Sequence, residues 1–229
     1  MKGTPFCLAL LCLALGAPSL SGQTLLDLGL GTSQQDRWAS QLTLRRNFSP
    51  QFRAGLEVQF ASPRNRFIEA RPIDRGYAFH LALPLTYQIY QRETLQLFAF
   101  LKPSWRRQGI IDPDGNDQRD SLLRSTALAI EPGLFVNLLL GERLQAQSGV
   151  TFPTVFEIDP SQLFENQTTL IHAGLAYRSG ARTQWFLNTN CGPAFGASGD
   201  SQKFLWSAQV GWRLALGTDL PTTIVEATF

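Results

Sequence analysis

Lysine is almost absent. Lys2, Lys102 and Lys203 are the only three among 229 residues, and arginine carries the rest of the basic charge. With a formal balance of only +2, there is no broad cationic face of the kind nucleic-acid binding uses. Arginine instead suits forked pairing with carboxylates and phosphates. Cysteine is equally scarce: Cys7 and Cys12 fall in an N-terminal apolar run, which leaves Cys191 alone in the remainder. That excludes an internal disulfide framework. Beyond the N-terminal run no apolar stretch approaches the ~18 residues of a membrane-spanning helix, and no helical period of 3.6 emerges. Metal-ligand spacing is missing too. The segment Asp112, Asp114, Asn116 begins like a calcium loop, but Asp117 stands where that loop needs glycine and Leu123 where it needs glutamate.

The N-terminus has the three parts of a secretory signal. Lys2 supplies charge, Phe6–Ala17 is an apolar core, and Ala17–Gly22 is a run of small residues suited to cleavage. We therefore expect residues 1–22 to be removed and the mature chain to start near Gln23.

What the rest of the sequence has in abundance is alternation. In Phe204–Leu216 every second residue from Phe204 through Trp206, Val210, Trp212 and Leu214 is apolar, and Gln209, Gly211 and Arg213 lie between. Side chains of a strand point to opposite faces in turn, so this is one greasy and one polar face. The pattern recurs in Leu25–Thr32, Trp38–Asn47, Gln51–Ala61, Gly76–Tyr90, Leu95–Trp105, Arg124–Leu140, Arg143–Val155, Thr168–Arg178 and Thr183–Cys191. That predicts ten strands in one all-β domain over residues 23–216, with 217–229 as a tail or a terminal strand. Connections alternate in length. Phe48–Pro50, Gln91–Thr94, Gly141-Glu142 and Ser179–Arg182 are short; Ser62–Arg75, Arg106–Ser121, Phe156–Gln167 and Gly192–Lys203 are long; Ser33–Arg37 breaks the rule.

Short turns on one side, long loops on the other and an even strand number predict an antiparallel up-and-down transmembrane β-barrel. Tyr77 and Tyr87 bracket an aliphatic greasy face. At ~3.3 Å per residue and a tilt near 40° their separation covers roughly 25 Å, the height of an outer-membrane apolar band. With Trp206 and Trp212 they form the expected aromatic girdle. A soluble lipocalin-type barrel with the greasy face inward is the competing reading; the Gly, Ala and Gln of the opposite face suit a lumen better than a soluble surface.

On the alternation, the signal and the C-terminal Phe229, the chain resembles the small bacterial outer-membrane β-barrel proteins. The resemblance is architectural and spans nearly the whole mature chain. It implies a bacterial outer-membrane location, and lipopolysaccharide and the barrel assembly machinery as partners. It implies no cofactor and no metal.

If the greasy face meets lipid, the other face lines a lumen that holds Arg45, Arg53, Glu57, His80, Lys102, Glu131, Arg143, His172, Arg178 and Arg213. Buried charges need partners, and Glu57 and Glu131 alone fall short of the basic set. A polar plug that stiffens the barrel, with a structural or surface-interaction role, is one outcome; a narrow anion-favouring pore is the other. Proteases and lipid-modifying enzymes also occur among such barrels, but His80 and His172 show no nucleophile–base pattern. Arg64, Arg66, Arg71 and Arg75 in the second connection could grip lipopolysaccharide phosphates.

Overall fold

In the computed structural model the described residues are 23–34, 36–63, 76–112, 121–159, 165–195, 202–217 and 220. Every regular element among them is a β-strand: β1 Thr24–Ser33, β2 Asp36–Asn47, β3 Phe52–Pro63, β4 Gly76–Ala82, β5 Leu85–Arg92, β6 Leu95–Asp112, β7 Ser121–Leu139, β8 Leu144–Thr151, β9 Thr154–Asp159, β10 Glu165–Thr168, β11 Leu170–Arg178, β12 Thr183–Phe195 and β13 Gln202–Leu216. Pairing is antiparallel between neighbours, and β13 returns to β1 from Ser207 beside Ser33 down to Leu216 beside Thr24. The sheet thus closes on itself, and closure removes the exposed edges that an open sheet would carry.

The thirteen segments make ten wall strands, because β4 with β5, β8 with β9 and β10 with β11 are halves of single strands. The expected Gly76–Tyr90, Arg143–Val155 and Thr168–Arg178 are therefore interrupted. Register survives each interruption: Ala82 faces Glu57 and, three residues on, Leu85 faces Ala54. Proline is the cause. Pro84, Pro103, Pro132, Pro153 and Pro193 sit where two residues should exchange a pair of ladder bonds. Each carbonyl accepts its bond, from Gly55, Leu83, Phe152, Thr168 and Thr169 in turn, at 2.9–3.1 Å. Proline has no N–H to return the second. The five lie on five of six consecutive wall strands, and the sixth, β10 with β11, supplies Thr168 and Thr169 as their partners, so a half-bonded seam runs across one side of the barrel.

One further expectation is corrected. The strands run past the apolar band: β6 continues through Arg106 to Asp112, β7 starts at Ser121, β9 and β10 take up both ends of the expected 156–167 loop, and β12 and β13 reach Phe195 and Gln202. Alternation fades there because both faces leave the apolar surroundings, while the neighbour's ladder still supplies bonding partners. Of the expected tail or terminal strand over 217–229, only residues 217 and 220 are described. Gly217, at φ 92°, turns the chain, and the Leu220 N–H donates to the Ala181 carbonyl at 2.8 Å.

Burial is inside out. Leu28, Leu30, Trp38, Leu42, Phe60, Leu134, Ile171, Trp185 and Val210 are exposed on the outer face, whereas Asp27, Thr43, Arg45, Glu57, Lys102, Asn137, His172, Gln184, Asn188 and Arg213 are buried within. A water-soluble protein does not expose a continuous apolar band of this extent; a barrel in lipid must.

Candidate functional site

The interior holds two connected polar groups and a layer of rings between them. Near the short-turn end, Asp27 on β1 takes a forked pair of bonds from Arg213, Nε to Oδ1 at 2.6 Å and Nη2 to Oδ2 at 2.9 Å. Arg45 on β2 reaches the same carboxylate at 2.7 Å. Arg213 Nη1 donates to Gln184 Oε1 at 3.2 Å, and Gln184 passes the chain on to Gln145 at 3.4 Å. Asp27 is the anion that this end needs, and the strand alternation alone places it on the polar face.

At mid-height Lys102 Nζ lies 3.3 Å from Glu131 Oε2 and 3.9 Å from Glu57 Oε1. Lys102 and Glu131 are direct cross-strand neighbours. The Thr151 hydroxyl donates to Glu131 at 2.8 Å and lies 2.8 Å from His172 Nε2. With its one proton given to Glu131, the hydroxyl receives the imidazole N–H. The hydroxyl thus stands between the acid and the imidazole, an order unlike the relay in which the imidazole stands between acid and nucleophile. Thr151 and His172 are also shut off from solvent, at 0% and 1% exposure.

Phenylalanines fill the remaining width. Arg53 lies over the Phe98 ring at 5.3 Å and Arg213 over Phe186 at 5.7 Å. Phe100, Phe135 and His172 stack edge to face in sequence, with centroids 5.3 and 5.2 Å apart. Glycine across the ladder makes the room: a Cβ on Gly149 would sit 2.3 Å from the Phe135 ring, and one on Gly211 2.1 Å from Phe186. Periodicity could not find Phe98 and Phe100, because LQLFAFL is apolar on both faces. The remaining void at the short-turn end, bounded by Gln145, Asn188 and Arg213, is about 10 Å³, the room of a single water.

The other expected residues are placed as follows. His80 Nδ1 is 3.2 Å from Gln59 Oε1 and 3.9 Å from Glu57 Oε1. Arg178 closes the short-turn mouth, its Nη2 donating to the Leu220 carbonyl at 3.1 Å; Leu220 packs inward against Leu25 and Ala215. Arg143 does not line the lumen. It sits in the turn between β7 and β8, exposed, because β8 begins only at Leu144. Tyr77, Tyr87 and Trp206 face outward, and Trp212 is half-buried beside Trp185. Arg64, Arg66, Arg71 and Arg75, the signal segment and residues 221–229 lie outside the described residues. Arg106, expected in a loop, points into the barrel from β6 and pairs with Asp36 at 3.2 Å. Among the described residues no cluster of His, Cys, Asp or Glu is arranged to hold a metal ion.

A closed antiparallel barrel with a lipid-suited exterior and a charged, packed interior is a small transmembrane β-barrel of the outer-membrane type. No protein-family model and no curated protein matches the chain. Among solved structures it is similar to the translocator domain of the autotransporter NalP from Neisseria meningitidis, at 9% identity and TM-score 0.49, with 92% of this chain and 94% of that one covered. The β domain of the Bordetella autotransporter BrkA is similar at 13% identity and TM-score 0.49, covering 85% and 99%. The outer-membrane protease OmpT from Escherichia coli follows at 6% identity and TM-score 0.47, covering 86% and 98%.

Proposed function

We propose that the chain is exported by its N-terminal signal to a bacterial outer membrane. There it serves as a non-conducting barrel that acts at the cell surface through the segments joining its strands at the long-loop end. One observation carries this reading: large side chains that point into the lumen have almost no exposed surface. Arg213, Phe98, His172, Gln96, Gln184, Glu57 and Asn188 each retain less than 2% exposure. A conducting pore keeps such side chains wet. Carboxylates offset much of the basic charge among the described interior residues. Asp27, Asp36, Glu57 and Glu131 stand beside Arg45, Arg53, Lys102, Arg106, Arg178 and Arg213, a basic excess of two. Lipopolysaccharide, through the arginines of residues 64–75, and the assembly machinery are the partners this reading implies.

Membrane fractionation with a heat-modifiability gel tests the location: a membrane-bound band whose mobility shifts on boiling is expected, and a soluble periplasmic product overturns it. Reconstitution into planar bilayers tests the plug. The expected record is flat; large, steady anion currents would establish the pore instead.

A further inference from the structure

One inward row of the wall sets a glycine between two amides. Gly174 on β11 faces Gln147 on β8 and Asn188 on β12. A strand normally places a side chain at each inward position, and Gly174 supplies none. Ala176, two residues along the same face, is too small to fill the gap. The result is the void of about 10 Å³ near the short-turn end, bounded by Gln145, Gln147, Gly174, Ala176, Asn188 and Arg213. All of these residues lie within strands β8, β11, β12 and β13, so the void belongs to the wall and not to a connecting segment.

Asn188 decides the chemistry of this void. It is 0% exposed, and neither its Nδ2 nor its Oδ1 has a hydrogen-bond partner in the protein. The Oδ1 leans over the glycine, since a Cβ on Gly174 would stand 2.6 Å from it. Burying an amide with both ends unbonded is costly, and this amide borders space that can take a ligand. Gln145 offers a complementary group to the same space. Its Oε1 accepts from Gln184 at 3.4 Å, which leaves its Nε2 hydrogens to donate. Size admits nothing beyond one water, which needs ~10–15 Å³ of such space. Charge points the same way. Arg213 beside the void disfavours a cation, and its guanidinium is already engaged by Asp27 and Gln184, so an anion would find no counter-charge to spare.

We propose that a single buried water occupies this void, accepting from the Gln145 amide on β8 and donating to Asn188 Oδ1 on β12. It bridges the two strands that flank β11, at the row where the glycine interrupts contact between their side chains. The experiment uses the full mature chain folded in detergent. Its crystal structure is combined with water-to-amide NOE spectra recorded in micelles. An ordered water within hydrogen-bond distance of Asn188 is expected, with a cross-peak from water to the Asn188 side-chain amide whose sign reports a long-lived contact. Asn188→Leu, which keeps a branched side chain and removes both polar atoms, should lose the water density. Gly174→Ala, which puts a methyl group into the void, should lose both the density and the cross-peak. Both variants should retain the heat-modifiable gel shift that reports a folded barrel. An empty void in the parent, an Asn188 amide bonded to the protein instead, or a water that persists in either folded variant overturns the site.

Discussion

At the scale of single residues, the interior is governed by the cost of burying charge. Asp27 serves Arg213 and Arg45 together, and all three are at most 4% exposed. Removing one partner from such a group leaves an unpaired buried ion, which costs about 3–5 kcal/mol. Asp27→Asn is therefore expected to lower unfolding stability in urea by that order. The Asp27→Leu/Arg213→Leu double variant should lose less than the sum of its two single changes, because each single change strands the other group. A double-mutant cycle measured on the folded barrel in micelles checks this. The sequence alone makes Asp27 visible as a polar-face residue but does not show its weight. Its partners stand 18 and 186 positions away, and only the register of β1 against both neighbours brings them together.

The elements show where alternation is informative and where it is not. It locates every wall strand, because lipid on one side and packed polar groups on the other enforce a period of two. It does not show the interruptions at Leu83-Pro84, Phe152-Pro153 and Thr169, since proline disturbs hydrogen bonding and leaves the alternation of faces intact. Nor does it assign Phe98, Phe100 and Phe135 to the interior, since greasy residues on both faces carry no period. The strand ends beyond the membrane, including Arg106, are hidden because both faces there leave the apolar surroundings. Two predictions belong here. Pro132→Ala restores an N–H opposite the Phe152 carbonyl, and the added bond is worth about 1 kcal/mol, offset in part by the looser unfolded chain. The temperature at which the gel shift is lost should rise. Gly149→Ala places a Cβ 2.3 Å from the Phe135 ring. Such overpacking costs about 1–3 kcal/mol, and Phe135→Leu in the same chain should recover part of it in the same melting assay.

For the molecule as a whole, the proposed occlusion rests on a few rings in a narrow barrel. Ten wall strands leave a lumen that side chains can span, and Phe98 and Phe135 are buried at 0% and 2% exposure. Truncating both, as Phe98→Ala/Phe135→Ala, should admit water along the axis and give unitary steps in a planar bilayer where the parent gives none. Retention of the heat-modifiable shift would show that the barrel wall survives. The fold class was legible from the sequence because it depends on pattern. The facing of Ala61 and Ala78 was not, because it depends on which small residues become neighbours at one level.

The fork between Asp27 and Arg213 also bears on the order of events when the barrel forms. Its two partners belong to the first and last wall strands, so a sheet built up in chain order cannot contain it until it closes. Until β13 docks on β1, Arg213 lacks its carboxylate, and Gln184 on β12 can offer only an amide oxygen. Ring closure then supplies the charge pairing and the last ladder in one step. That step acts as a latch: an intermediate stalled one strand short gains none of it, and a completed barrel must surrender both together to reopen.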